Sequence, residues 1–297
     1  GLWTLTTQRS LASLTGLALA LLVIRARLRR RLGTAALVAL FAGLLAADLV
    51  TLGRGFRPLL PAPLVYPPVP EIDAVRQDPG LFRVAGWGSA LLPNSHVVYG
   101  LQQFRGYDSM NQRAYSELID STLGLESALH VDRPFADGQV WDLLNVKYVF
   151  ARPDVRLPDA HFERMPGLAP VYRNRRVMPR AFLVAELRAA SAADAARAIA
   201  DGAVDVRRVA LIDAALPAGE APEPGDTTRD AADVRHYRDE YVEIHTNAGG
   251  RRLLVLSDLD YPGWRATVDG VSVPIHRVNV AFRGVTVPAG RHVVRFA

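Results

Sequence analysis

The 297-residue chain carries a net charge of +5 and no cysteine, which excludes disulfides, thiol nucleophiles and thiolate metal sites. Residues 1–52 hold six arginines and one acid, so they account for the whole excess and leave the rest balanced at 29 basic and 29 acidic residues. A nucleic-acid binder needs its basic excess on the folded domain, so nucleic acid is excluded as a partner.

The first elements read as membrane helices. Leu11 to Ile24 is apolar but short, as a signal-peptide core or a buried helix would be. No small-residue cleavage site follows it, and the run Arg25, Arg27, Arg29, Arg30, Arg31 does. Thr34 to Leu52 is apolar except for Asp48, and at about 1.5 Å per residue it nearly spans a hydrocarbon core of about 30 Å. The two segments predict a transmembrane hairpin over residues 1–52, with the lipid bilayer as its partner. The five loop arginines outnumber Arg54 and Arg57 at the far exit. The positive-inside rule therefore places the loop in the bacterial cytoplasm and everything after residue 52 outside, in a multi-pass arrangement. Asp48 falls near the outer interface, where a carboxylate costs far less than at the bilayer centre.

Residues 53–70 form a proline-rich strap. Its prolines remove donors and restrict their predecessors, so an extended segment is expected. Residues 71–215 alternate short apolar strands (Leu81–Ala85, Val146–Ala151, Arg180–Ala185) with helical stretches at Asn111–Leu125 and Phe135–Leu144, an α/β arrangement. Ser191 followed by Asp194 opens a further helix in capping-box style, and Gly202 ends it. Residues 216–233, rich in Pro, Gly and acids, make a linker.

Residues 234–297 predict a β-sandwich or jelly-roll-like module, so the whole reads as a mixed α+β chain. Leu253–Leu256 is a fully buried strand. Pro262-Gly263 suits a type II turn and Asp269-Gly270 a two-residue hairpin. Trp264, Ala266 and Val268 share one face, which points Trp264 at the sandwich core. Val271, Val273 and Ile275 repeat the alternation, as do Val278, Val280 and Phe282. Arg277, Asn279 and Arg283 are expected on the opposite, polar face.

No phosphate loop, His-Glu-x-x-His or Gly-x-Ser-x-Gly signature is present, and Gly86-Trp-Gly88 has Leu91 where a dinucleotide fingerprint needs glycine. The seven histidines lack metal-ligand spacing, so neither metal nor cofactor is expected. Aromatic residues beside polar ones are the candidate sugar platforms: Trp87 with Asn94, Tyr107 with Asp108, and Tyr261 with Trp264. A ring covers the apolar face of a pyranose while polar neighbours satisfy its hydroxyls. Arg83, Arg105, Arg113 and Lys147 are candidate phosphate holders, with a solvated surface as the competing fate.

The wording Tyr261-Pro-Gly-Trp264, Val268-Asp-Gly270, Phe282-Arg-Gly-Val285 and Pro288-Ala-Gly290 resembles the end of YfhO-type bacterial membrane proteins. Upstream, Arg105-Gly-Tyr-Asp-Ser109 with Tyr115, Leu143–Tyr148 and Met178–Val184 extend the resemblance over nearly the whole chain. It implies the C-terminal portion of a larger polytopic envelope protein, laid out like glycosyltransferases that use lipid-linked sugars. The implied partners are a polyprenyl-phosphate-linked sugar and an envelope glycan such as a teichoic acid. Catalysis is then expected from an acidic loop upstream, so no residue here inherits that role and the catalytic residues stay unassigned. The same residues fit a non-enzymatic anchored scaffold or glycan-binding module.

Overall fold

The computed structural model describes residues 2–56, 61–87, 90–104, 106, 112–123, 137–167, 169–217 and 219–297. It divides into two compact units, residues 1–67 and 68–297.

In the first unit α1 (Leu2–Leu28) and α2 (Thr34–Phe56) pack together around a short turn. Arg27 braces that turn by donating to Leu32 O at 2.7 Å and to Thr34 Oγ1 at 3.2 Å. Among the described residues one stretch, Thr34–Thr51, is long and apolar enough to cross a membrane, with a mean hydropathy of 2.0 and none of it buried. The strap corrects an expectation, because it contains a helical turn, α3 (Ala62–Val65), and leads into α4 (Pro70–Arg76). Proline occupies the first turn of both, where the missing N–H has no intrahelical partner to lose.

The second unit runs through β1 (Arg83–Gly86), α5 (Ser95–Val98), α6 (Arg113–Leu123), α7 (Val140–Leu143), β2 (Val146–Phe150), β3 (Phe162–Arg164) and β4 (Val171–Asn174). Then come β5 (Ala181–Val184), β6 (Glu186–Ala189), α8 (Ala192–Ala200) and β7 (Val209–Ile212). The remainder is all strand: β8 (Ala231–Arg238), β9 (Tyr241–Ala248), β10 (Arg252–Leu259), β11 (Ala266–Val268), β12 (Val271–Val273), β13 (His276–Val278), β14 (Phe282–Val287) and β15 (Gly290–Phe296).

These strands form three sheets, ordered β1-β2-β4-β3, β5-β10-β14-β13-β7-β6 and β12-β11-β15-β9-β8. The six-stranded sheet is the middle layer, and β10 shows why. Leu253 and Val255 join Phe182, Val184, Phe282, Trp141 and Ile199 in one core. Leu254 and Leu256 join Ile244, Val285, Val294 and Phe296 in the other. A strand apolar on both faces must be covered on both. The middle sheet also takes strands from both sides of residues 216–233, so the α/β part and the sandwich share a layer.

Local chemistry sets the corners. Ser191 Oγ accepts from Asp194 N, and Gly202 has φ +67° where α8 ends. Asp269 (φ +51°) and Gly270 (φ +84°) are both left-handed, as a two-residue hairpin requires. The alternation through Val278 and Phe282 is not one strand. Asn279 (φ +47°) and Val280 (φ +75°) turn the chain between β13 and β14. Asn279 is fully buried there, and its backbone N–H and side-chain oxygen both bond to Leu211 of β7, at 2.8 and 2.9 Å. Val271, expected inward, is 68% exposed because β12 is an edge strand.

One buried carboxylate ties the layers together. Asp258 at the end of β10 lies 2.7 Å from Arg83 Nη2, 3.1 Å from Arg180 Nη1 and 3.5 Å from Arg283 Nη2. Tyr237 donates to it at 3.1 Å from β8. Arg180 also donates to Gln102 Oε1 at 2.7 Å and to Asn145 Oδ1 at 3.0 Å. Burial pushes the Asp258 pKa up, but the three guanidiniums outweigh burial and hold it below the ordinary carboxylate value. Desolvation and the charge of Arg83 lower Arg180 to about 10, still charged at neutral pH.

Replacing Asp258 with Asn leaves the buried Arg180 and Arg283 and the part-buried Arg83 without their counter-charge. A loss of about 3–5 kcal/mol in unfolding free energy is expected by denaturant titration. A gentler pair is His292 with Asp269, at 2.6 Å across the β11–β15 ladder. The hydrogen bond to Asp269 raises the His292 pKa above 6.5. Its stabilising contribution is therefore complete below pH 6.5 and is lost as pH rises through the raised folded value. The thermal midpoint should fall across that window in the parent, and the His292→Gln variant should lack that step.

Candidate ligand pocket at the Tyr261 to Trp264 turn

The pairing of β10 with β14 shifts register between Leu256 and Leu259, after which the chain leaves the sheet. Asp260 N still donates to Ala281 O at 2.8 Å, and Arg265 exchanges two backbone hydrogen bonds with Ala297. Between these anchors Gly263 (φ +116°) supplies the positive φ that the turn needs, and Tyr261 and Trp264 project from it.

The turn forms one wall of a pocket of about 600 Å³, lined by Gln112, Asp260, Tyr261, Trp264, Ser272 and Arg277 among others. The rings of Tyr261 and Trp264 meet nearly at right angles, 77° apart with centroids at 6.2 Å. Tyr261 is half exposed, whereas Trp264 is partly buried and packs on the sandwich core. Trp264 therefore serves the core, as its alternation predicts, and also lines the pocket. The Arg283 guanidinium sits 4.0 Å from the Trp264 ring centroid, a cation–π contact that links this wall to the Asp258 cluster.

The polar groups are poised. Trp264 Nε1–H, a donor, and Gln112 Oε1, an acceptor, are buried without a hydrogen-bond partner among the described residues. Gln112 spends its other end on Asp260 O. Desolvation raises the Asp260 carboxyl above the ordinary value, against the opposing charges of Arg277 and Arg283. Arg277 pairs with Asp213 at 3.2 Å. A right-angled aromatic corner with a half-buried carboxyl can hold a small polyol.

Of the sequence candidates, the structure places Tyr261 and Trp264 in this pocket, and Trp87, Asn94, Arg113, Arg83 and Lys147 elsewhere. Trp87 is a correction, since it is 3% exposed and packs edge-on against Trp141 at 5.8 Å, with no face left for a sugar. Asn94 (φ +70°) precedes α5 on the surface, away from the Trp87 ring's core. Arg113 opens α6, exposed and paired with Glu117 at 2.8 Å. Arg105, Tyr107 and Asp108 lie outside the described residues. Arg83 is committed to Asp258, and Lys147 pairs with Asp78 and lies 5.5 Å from the Phe82 ring centroid. Arg277 and Arg283 stand opposite each other in the β13–β14 ladder and so share a face, whereas Asn279 lies in the turn between the strands, buried against Leu211. Sequence reading missed Gln112 and Asp260. The signal for Asp260 was its place in Asp258-Leu-Asp260, just before the aromatic turn.

No curated protein and no solved structure matches the chain. A family model does, over residues 226–297, the stretch that contains the turn. That family is described as bacterial membrane protein YfhO; the match covers the last 72 residues of a chain that also bears an apolar stretch, Thr34–Thr51, long enough to cross a membrane.

Proposed function

We propose that the chain assists sugar transfer from a polyprenyl-phosphate carrier to a cell-envelope glycopolymer by holding a glycan in the Tyr261–Trp264 pocket. The observation that carries this reading is the meeting of the aromatic corner with the half-buried Asp260 carboxyl in one pocket. The rings take the C–H face of a pyranose. The Asp260 carboxylate accepts from its hydroxyls. Transfer itself is displacement of the carrier phosphate from the anomeric carbon by an acceptor hydroxyl, with a general base taking its proton, and it belongs to the rest of the protein. In this reading α1 and α2 form the transmembrane hairpin, with Arg25, Arg27, Arg29, Arg30 and Arg31 cytoplasmic and residues 68–297 outside.

The test is calorimetric titration of the full chain in lipid nanodiscs with fragments of envelope glycopolymers. Tyr261→Ala removes an exposed ring and is expected to weaken binding at least tenfold with the circular-dichroism spectrum unchanged. Trp264→Phe, which keeps a ring and loses the donor, should weaken it less. Asp260 accepts hydroxyl protons best when ionised, so affinity should rise with pH through its raised pKa, and Asp260→Asn should flatten that profile. Parent protein that binds no glycan, or a Tyr261→Ala variant that binds as well as the parent, would sink the reading. If these variants lose glycan binding but full-length protein bearing them still glycosylates the envelope polymer normally, the pocket serves an anchored glycan-binding module instead.

A further inference from the structure

Residues 84–104 contain no Asp, Glu, Lys or Arg, in a chain whose residues are 22% charged. Within this stretch α5 is a single turn between two left-handed residues, Asn94 (φ +70°) and Gly100 (φ +68°). Its base is pinned. Leu91 is buried in a third core with Ile72, Val84 and Tyr148, and Tyr99 and Leu101 pack on the same core. Gly86 lets the backbone at Leu91 come close, since a Cβ at position 86 would lie 2.0 Å from Leu91 O. On this rigid base Leu92, Val97 and Val98 point outward, 56%, 66% and 45% exposed. They are three of the five large apolar side chains exposed in residues 68–297 among the described residues. Burial also lowers the His96 pKa, so the knob carries no cation at neutral pH.

We propose that Leu92, Val97 and Val98 dip into the lipid surface of the bilayer that α2 crosses, and hold residues 68–297 against it. An uncharged aliphatic knob fits hydrocarbon. The tether makes the encounter obligatory. Sixteen residues lie between Thr51 and Pro68, and even fully extended they reach only about 60 Å. Lipid is thus the apolar phase at highest local concentration. The knob proposal rests on the proposed membrane crossing of α2 but not on the Tyr261–Trp264 pocket, whose residues are different.

The absence of native cysteine makes single labels unambiguous. Val97→Cys and Leu92→Cys, with Glu240→Cys in the exposed β8–β9 turn as the control, are labelled with a bimane fluorophore in the full chain. Each is reconstituted in phosphatidylcholine–phosphatidylglycerol nanodiscs with or without lipid spin-labelled at a shallow acyl carbon. The expected result is quenching at positions 97 and 92 at least twofold stronger than at 240. An unquenched label whose unlabelled thiol reacts freely with a charged, membrane-impermeant reagent would overturn the proposal, because the knob is then in water. An unquenched label with a protected thiol would overturn it equally, because protein then covers the knob.

Discussion

The Asp258 carboxylate is the constraint on which residues 68–297 depend. Three guanidiniums, from β1, from the residue before β5 and from β14, and a tyrosine from β8 converge on it. Such a group earns little net stability, because each ion gave up its water to reach the interior. What it contributes is uniqueness. Aliphatic contacts in the two cores tolerate sliding, whereas one carboxylate with three directional donors and a further guanidinium at 3.5 Å accepts a single registration of the layers. The interior here is cationic on balance, with one acid facing three bases. Arg283 relieves part of that excess by lying on the Trp264 ring, whose π face attracts a cation.

That relief couples the interior to the pocket. Trp264 has Arg283 on one side and the Tyr261 corner on another, so its orientation is set from behind, before any ligand arrives. The register shift that frees residues 259–264 begins directly after the strand residues that bury into both cores. A rigid strand end, a glycine-assisted turn and a ring clamped by a buried cation make a preformed wall. Preformed walls bind with less ordering cost than loops that must close.

Much of the fold is legible in the chain because its corners are local chemistry. Asp269-Gly270, the Ser191 cap and the Gly202 stop each follow from what one or two residues can do with their own backbone. The membrane span follows from composition. The centre of the structure is not legible in this way. Arg83 and Asp258 are separated by 175 positions, and an arginine in isolation reads as a solvated surface group. Yet three of the segments whose wording carries the family resemblance meet around Asp258, through Asn145, Arg180 and Arg283. Trp87 misled for the opposite reason. It sits outside any periodic run, so nothing nearby announces that Trp141 and Phe104 enclose it. The prolines of the strap misled because proline bars the middle of a helix and favours its beginning.

The shared middle sheet bears on where one protein ends and the next begins. The stretch matched by the family model starts at residue 226, but its central strand β10 is hydrogen-bonded on one side to β5, which precedes that stretch. Cut out alone, residues 226–297 would present the flank of Leu253–Leu256 as an open edge, with donors and acceptors unmet. The earlier part is no more independent, since β5 borders β10 alone in its sheet and Arg180 has its only acidic contact in Asp258 among the described residues. During synthesis, a nascent chain that has reached residue 250 holds β5 without its one sheet partner until β10 emerges. The unit of inheritance recognised by sequence is thus smaller than the unit that can fold, and the two should not be equated when such proteins are divided for expression.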